Sequence, residues 1–358
     1  MVSSLVRTEE IKGTEETRWD FVGKATTGKP NLLKGPKVED VAAVSRQPGE
    51  PLVIEEITVA PPGAYEVRIR IICTSLCYSD ITFWKLKVPP ACFPRILGHE
   101  AIGVVESVGE NVEEVKEGDT VIPTFMADCG DCVDCRSKKS NLCSKLPFAL
   151  KPWMPRNDTT RFTDLNGEPL YHFLFVSSFS EYTVLDVAHV VKIDPAIPPN
   201  RACLLSCGVS TGQRFGVTEF VDSSSCGDKS VSQVINEMTG GGADYCFECV
   251  GLSSLVEEAY ASCRKGWGKT IVLGVDRPGA QLNFSSFEVL HTGKTITGSL
   301  FGGIKAKSDI PILLKRYVDK ELHLDEFVTH EVKFEDINKA FNLLIEGKCI
   351  RCVIWMDK

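Results

Sequence analysis

No apolar run in this 358-residue chain approaches the roughly 20 residues that a bilayer-spanning helix needs, so no helical membrane span is expected. The opening stretch, MVSSLVRTEEIKGTEETRWDF, lacks the apolar centre of a secretory leader and is not acid-poor as a transit peptide is. Reducing cytosol is the expected setting. Positive charge is also short, with 40 Lys and Arg against 48 Asp and Glu and a net charge of −8. Generic attraction to nucleic acid or anionic lipid is therefore not expected, and small molecules or proteins are the anticipated partners. No internal repeat or low-complexity tract is visible. No G-x-G-x-x-G turn follows any strand-like run, and the Gly240–Gly242 triplet comes after a helical pattern, where it suits a C-terminal cap better than a phosphate loop.

The length suits two domains with real hydrophobic cores, and 43% hydrophobic with 25% charged residues is ordinary globular composition. A disulfide-stapled miniprotein is excluded. What the chain has in quantity is cysteine, 15 residues. In a reducing compartment, patterned cysteines more often bind metal or do chemistry than form disulfides.

Residues 1–40 hold seven Lys or Arg and seven Asp or Glu with little apolar periodicity, and read as a flexible extension. From Val41 short β-rich runs follow (VAAVSR, LVIEEITVA, YEVRIRIICTS, EAIGVVESVG, DTVIPTF), split by Pro and Gly turns, which predicts a mostly antiparallel β domain. Residues 128–146 form a cysteine-rich lobe too polar to hold itself together by burial. SEYTVLDVAHVVKID then resumes the strands. After Gly212 strand and helix patterns alternate (FGVTEFV, SVSQVINEMTGGG, ADYCFECVG, LSSLVEEAYASCRKG, KTIVLGV, KTITGSLFGG, SDIPILLKRYVDKEL), which predicts a parallel sheet flanked by helices. The fold class is thus α/β with a β-rich domain.

Two constellations point to metal. Cys129-x2-Cys132-x2-Cys135-x7-Cys143 places four thiolates on one loop, able to close a tetrahedron around Zn²⁺ with no open position, the form of a structural site. The alternatives are unligated thiols or an iron–sulfur cluster, whose common ferredoxin spacing this is not. The second set is spread out: Cys77, His99 with Glu100 beside it, and Cys207. Two Cys and one His leave the fourth position of Zn²⁺ open to water or a substrate oxygen. Taken singly, each of these residues also fits an ordinary core role.

TSLCYSD, LGHEAIGVVESVGENV, GDTVIP, CGDCVDC, NLC, CGVSTG and FGG-x-K together resemble, in order and spacing, the zinc-dependent medium-chain alcohol dehydrogenases, the plant branch most of all. The resemblance runs from about Ala42 to Arg351 with one gap. It implies a GroES-like catalytic domain (41–210 and 301–358), a Rossmann-type cofactor domain (211–300), a dimer, and oxidation of primary alcohols to aldehydes with NAD. It further implies two zincs per chain, one catalytic on Cys77, His99 and Cys207 with Glu100 as an occasional ligand, and one structural on the four-cysteine lobe. Ser79 would take the alcohol proton, Asp80 would orient His99, and Phe125 would narrow the pocket toward small alcohols. Thr211, Leu273, Ser299 and Phe301 match positions that contact nicotinamide, and Arg351 one that reaches the phosphates.

The chain also departs from that pattern. Gly212 runs directly into QRFGVTEFV, so roughly fifty residues are absent, more than one βαβ unit, and with them the pyrophosphate turn and the acidic ribose ligand. Tyr78 stands where the family places a positive charge near the pyrophosphate, and Thr82 replaces a relay histidine. The expected sheet is truncated, with ADYCFECV left as an apolar edge unless FGVTEFV pairs with it. The preferred reading is a shortened relative that binds two zincs but turns over poorly. The others are an active enzyme, a non-enzymatic isoform that pairs as a heterodimer with a full-length relative, and a zinc hydrolase.

Overall fold

The computed structural model describes residues 36–208 and 219–357. The first sheet takes the order β4(Arg95–Ile96), β1(Val38–Ser45), β2(Val53–Val59), β7(Phe162–Asp164), β8(Pro169–Leu170). The second runs β10(Val190–Lys192), β6(Thr120–Pro123), β5(Glu100–Val108), β3(Glu66–Ser75), β15(Arg351–Trp355), β14(Val328–Lys333), with β9(Tyr182–Asp186) also paired to β3. All pairings in these two sheets are antiparallel except β14 with β15. The expected antiparallel β domain is present. Its first strand begins at Val38, three residues earlier than the sequence suggests, because Asp40 is buried and accepts the backbone N–H groups of Glu181 and Tyr182. The described end of the supposed extension is therefore part of the sheet.

The C-terminal residues return to this β body. In helix α7(Ala306–Val318), Ala306, Ile310 and Leu314 pack in one core with Cys73, Ile102, Ile122 and Val353. Helix α8(Ile337–Ile345) buries Ile337, Ala340, Phe341 and Leu344 in the core that holds Val44, Ile57 and Phe162. The i, i+3, i+4, i+7 spacing of those four residues explains both the helix and the face it buries.

The third sheet is small: β11(Tyr245–Glu248), β12(Lys269–Val272) and β13(Thr295–Gly298), all parallel and paired in that order. Helices α4(Val231–Met238) and α5(Ser253–Ser262) pack on one another, and α5 lies against β11 and β12. Ser230 caps α4 in a capping box with Gln233. The expectation of a strand at FGVTEFV is not met in its described part, since Glu219–Asp222 carry no strand pairing, and 215–218 lie outside the described residues. No strand of the described residues covers the outer edge of β11, whose Tyr245 and Phe247 are 63% and 61% exposed. Among the described residues no helix is long and apolar enough to cross a membrane.

A buried ion pair anchors the start of β3. Arg161 reaches Glu66 with two bonds of 2.7 Å, and Glu66 also accepts the N–H of Gly63 and the Asn157 amide. Both side chains are almost fully withdrawn from water. Removing one partner strands the other charge, so Glu66→Gln is expected to cost about 3–5 kcal/mol in urea unfolding of the zinc-replete chain. The Glu66→Leu/Arg161→Met double variant is expected to recover most of that loss; equal loss in both would overturn the account.

Candidate metal centres

The four lobe cysteines lie with all their sulfurs within 4.8 Å of one another. Sγ of Cys129 is 3.9 Å from that of Cys135, and Sγ of Cys132 is 4.0 Å from that of Cys143, so the pairs are not bonded. The local fold aims backbone donors at the sulfurs. The N–H groups of Cys132, Cys135 and Leu146 point at Cys129, Cys132 and Cys143, at 3.4, 3.3 and 3.3 Å. The Cys135 contact also caps the short helix α2(Val133–Arg136).

Hydrogen bonds from Ser144 and from the Cys135 N–H lower the Cys132 thiol to about 5, while burial pushes Cys135 and Cys143 up. Four sulfurs this close cannot all ionise without a cation between them, and a closed all-sulfur set is what Zn²⁺ takes in structural sites. The lobe has little else inside. Its core is Ala127, Cys132, Cys143, Leu146 and Ala188, two of the five being ligands, with Cys129 and Cys135 packed against them. Lys305 ties it to the C-terminal segment through the carbonyls of Asp134 and Cys135, as does Asn141 through that of Leu300.

The second group gathers from three separate segments. Cys77 ends the turn after β3 and caps helix α1(Tyr78–Lys85), His99 and Glu100 open β5, and Cys207 follows a 3₁₀ turn at Cys203–Ser206. Their ligand atoms also lie within 4.8 Å of one another. Asp80 sits behind them: one carboxylate oxygen accepts the Cys77 N–H at 3.0 Å, and the other accepts the Gly98 N–H at 3.0 Å and faces His99 Nδ1 at 3.2 Å. That contact places the histidine proton on Nδ1 and leaves the lone pair on Nε2, which is buried and has no protein partner.

Burial opposes protonation of His99, but Asp80 and Cys77 outweigh it and raise its pKa well above the usual range, so a cation bound at Nε2 would have to displace the second ring proton. A hydrogen bond from Cys207 holds Cys77 well below the ordinary thiol value and raises Cys207 in turn. Burial pushes Glu100 up to about 8, against the Arg351 guanidinium 3.6 Å away. An orphaned imidazole nitrogen, two paired thiols and a carboxylate without hydrogen bonds form a donor set that suits Zn²⁺ with three protein ligands and one position open.

Each of the other expected site residues has a definite place. Ser79 is half-buried, and its Oγ lies 3.8 Å from Cys77 Sγ. Thr82 donates its hydroxyl to the Tyr78 carbonyl at 3.1 Å, and Tyr78 itself is exposed. Phe125 is buried edge-on to His99, Phe148 and Phe301, at 6.0, 6.0 and 5.1 Å between ring centres. Phe301 holds a positive φ of 54° to reach it. Leu273 and Ser299 continue the third sheet's ladder, their N–H groups donating to the carbonyls of Glu248 and Val272. Thr211 lies outside the described residues.

Arg351 stands beside the second metal group. Its guanidinium turns inward, donating to the carbonyls of Gly208 and Ile350 at 2.9 Å each and facing Glu100. Gly208 permits this approach, since a Cβ there would lie 2.2 Å from Arg351 Nη2 and 2.5 Å from a Glu100 oxygen. Sequence reasoning missed Phe173, which stands edge-on to His99 at 5.7 Å. Its only signal is the aromatic run YHFLF in a stretch without regular periodicity.

Two family models match the chain, the alcohol dehydrogenase GroES-like domain over residues 63–195 and the zinc-binding dehydrogenase over 209–319. Alcohol dehydrogenase-like 7 of Arabidopsis thaliana is 66% identical over 369 residues, covering 88% of this chain and 95% of that protein. Alcohol dehydrogenase class-3 of Oryza sativa subsp. japonica is 40% identical over 370 residues, covering 88% and 97%. Among solved structures, an alcohol dehydrogenase zinc-binding domain protein from Burkholderia ambifaria superposes with a TM-score of 0.78 at 25% identity, covering 90% of this chain and 100% of that one.

The two centres make separable predictions. Metal analysis of the purified chain is expected to give about two zincs, falling to about one in Cys143→Ser and also in Cys207→Ser. Only Cys143→Ser should open residues 127–146 to limited proteolysis. Equal protease resistance in both variants would show that the lobe is held by something other than metal.

Proposed function

The chain belongs to the zinc-binding alcohol dehydrogenase family, and from that premise we propose that it is a shortened member that holds zinc at both centres but oxidises alcohols with NAD poorly. Zinc at the second centre would supply Lewis acidity to an alcohol oxygen and ease loss of its proton. Around it, the residues have separate duties. Ser79 Oγ would accept the alcohol's proton while handing its own hydroxyl proton on to solvent, since it is half-buried and no relay histidine stands behind it. Asp80 keeps His99 in the tautomer that presents Nε2 inward. Phe125, Phe173 and Phe301 wall the space, exclude water and favour small primary alcohols.

The residues present do not fit the dinucleotide. The observation that carries this is the three-stranded parallel sheet with β11 at its open edge. No turn with the G-x-G-x-x-G spacing leads from a strand into a helix N-terminus among the described residues, so the usual seat for a pyrophosphate is missing. Tyr78 offers no charge, and Arg351 is engaged with Glu100 and Gly208. The alignment with the Arabidopsis relative supports the same reading. It runs over 369 positions, whereas 88% of 358 is about 315 residues of this chain, so about 54 positions are filled by the relative alone. That is the size of the expected gap.

A second reading has its own support. The exposed Tyr245 and Phe247 on β11 suit pairing with a full-length relative, as a heterodimer that lowers the partner's activity.

The test is titration of the zinc-replete chain with NADH, followed by cofactor fluorescence, with ethanol oxidation assayed in the same sample. Loss of several charge-assisted phosphate and ribose bonds predicts a dissociation constant at least about 1,000-fold above that of a full-length relative measured alongside. Saturable micromolar binding with turnover would overturn the proposal. Co-expression with that relative checks the second reading, which fails if only homodimers and monomers are recovered.

A further inference from the structure

Asn141, two residues before the lobe cysteine Cys143, reaches out of the lobe. Its amide nitrogen donates to the Leu300 carbonyl at 2.8 Å and to the Ile304 carbonyl at 3.3 Å. An amide has two hydrogens to give, so one side chain grips both ends of the turn at Leu300–Gly303. Lys305, the residue after Ile304, grips in the other direction, its ammonium donating to the carbonyls of Asp134 and Cys135 in the lobe.

The turn needs holding. Phe301 and Gly302 take φ of 54° and 65°, the left-handed region that glycine enters freely and phenylalanine does not. Inside the turn, the Ile304 N–H donates to the Phe301 carbonyl at 3.2 Å. A bulky residue keeps such a backbone only where its surroundings over-determine it, and the Asn141 amide supplies two of the contacts that do so.

The ring carried by this backbone leads to the second metal centre. Phe301 meets Phe125 edge-on at 5.1 Å, and Phe125 meets His99 edge-on at 6.0 Å. Phe125 is buried and has little room to follow a displaced neighbour. The direction of the Phe301 ring is therefore set by a turn whose two ends are fastened to the four-cysteine lobe.

We propose that Asn141 is a positioning residue for the second centre: through the Leu300 and Ile304 carbonyls it fixes the left-handed turn at Phe301, and so limits the size of molecule that reaches the open metal position. The lobe, which contributes no ligand to that centre, thereby helps to decide which alcohols fit it. The inference rests on reading Cys77, His99 and Cys207 as metal ligands and is independent of NAD.

The test uses the full-length chain with the lobe zinc-replete and cobalt(II) exchanged into the second centre. Imidazole taking the open position shifts the visible cobalt bands, whereas a closed four-thiolate site has no position to give. Imidazole and the bulkier 4-phenylimidazole are titrated separately, and the ratio of their dissociation constants reports the wall. Asn141→Ala is expected to leave imidazole binding within about twofold of wild type and to tighten 4-phenylimidazole about tenfold. Phe301→Gly removes the ring and suits the left-handed backbone; it should shift the ratio by itself, and adding Asn141→Ala should then change nothing further. Should Asn141→Ala fail to fold, Asn141→Asp is read in its place with the same expectation, being closest in size but presenting acceptors where the amide hydrogens are needed. An unchanged ratio in the Asn141 variant overturns the proposal, as does an equal response in the Phe301→Gly background. Absence of any imidazole-sensitive cobalt band would overturn it together with the metal reading on which it rests, while failure to bind NADH touches neither.

Discussion

The carboxylate of Asp80 is the contact on which the second metal centre depends. Three groups converge on it from two segments: the Cys77 N–H at the start of α1, the Gly98 N–H before β5, and the Nδ1 of His99. Two of the ligands are therefore positioned by one buried anion, independently of any metal. Asp80 is fully buried, and its oxygens are directed to those three groups rather than to solvent. The cost of burying it is offset by the same bonds that set the tautomer of His99.

A second acidic group lies beside the first. Glu100 is buried without a hydrogen bond, burial pushes its carboxyl up to about 8, and it faces Arg351, which is itself held by the carbonyls of Gly208 and Ile350. Gly208 follows Cys207 directly, so the segment carrying the third ligand is tied to β15 through this arginine. The ordering runs from backbone to charge to ligand. Two of the Arg351 nitrogens are engaged by those carbonyls, while Nε faces Glu100 without a hydrogen bond.

Much of this is legible in the sequence because the ligands sit in short, rigid signatures. The three closely spaced cysteines with Cys143 read as one loop, and GHE after an apolar run reads as a ligand at the mouth of a strand. Strands such as YEVRIRIICTS and EAIGVVESVG are long and regular enough in pattern to be placed within a residue or two of their observed ends. The misreadings have a common cause. Val38–Asp40 looks like a polar tail because the sequence does not show that the N–H groups of Glu181 and Tyr182 come to Asp40 from 141 and 142 residues away. The contacts of Arg351 with the Gly208 and Ile350 carbonyls are likewise set by tertiary packing that no local pattern shows. Phe173 lies in a segment whose positive φ values no periodicity announces.

The two halves differ in how they manage a missing neighbour. In the β body every strand named above finds partners, and the apolar residues of α7 and α8 close its cores with C-terminal chain. The parallel sheet has no such reserve. Parallel strands depend on cover from both faces and on crossover helices, so the outer strand of the three described here lacks a partner that a hairpin could supply. The consequence is visible at β11, where aromatic side chains suited to a buried strand face solvent. The candidate zinc ligands come from β-body segments that keep their own support, so their convergence does not depend on the parallel sheet.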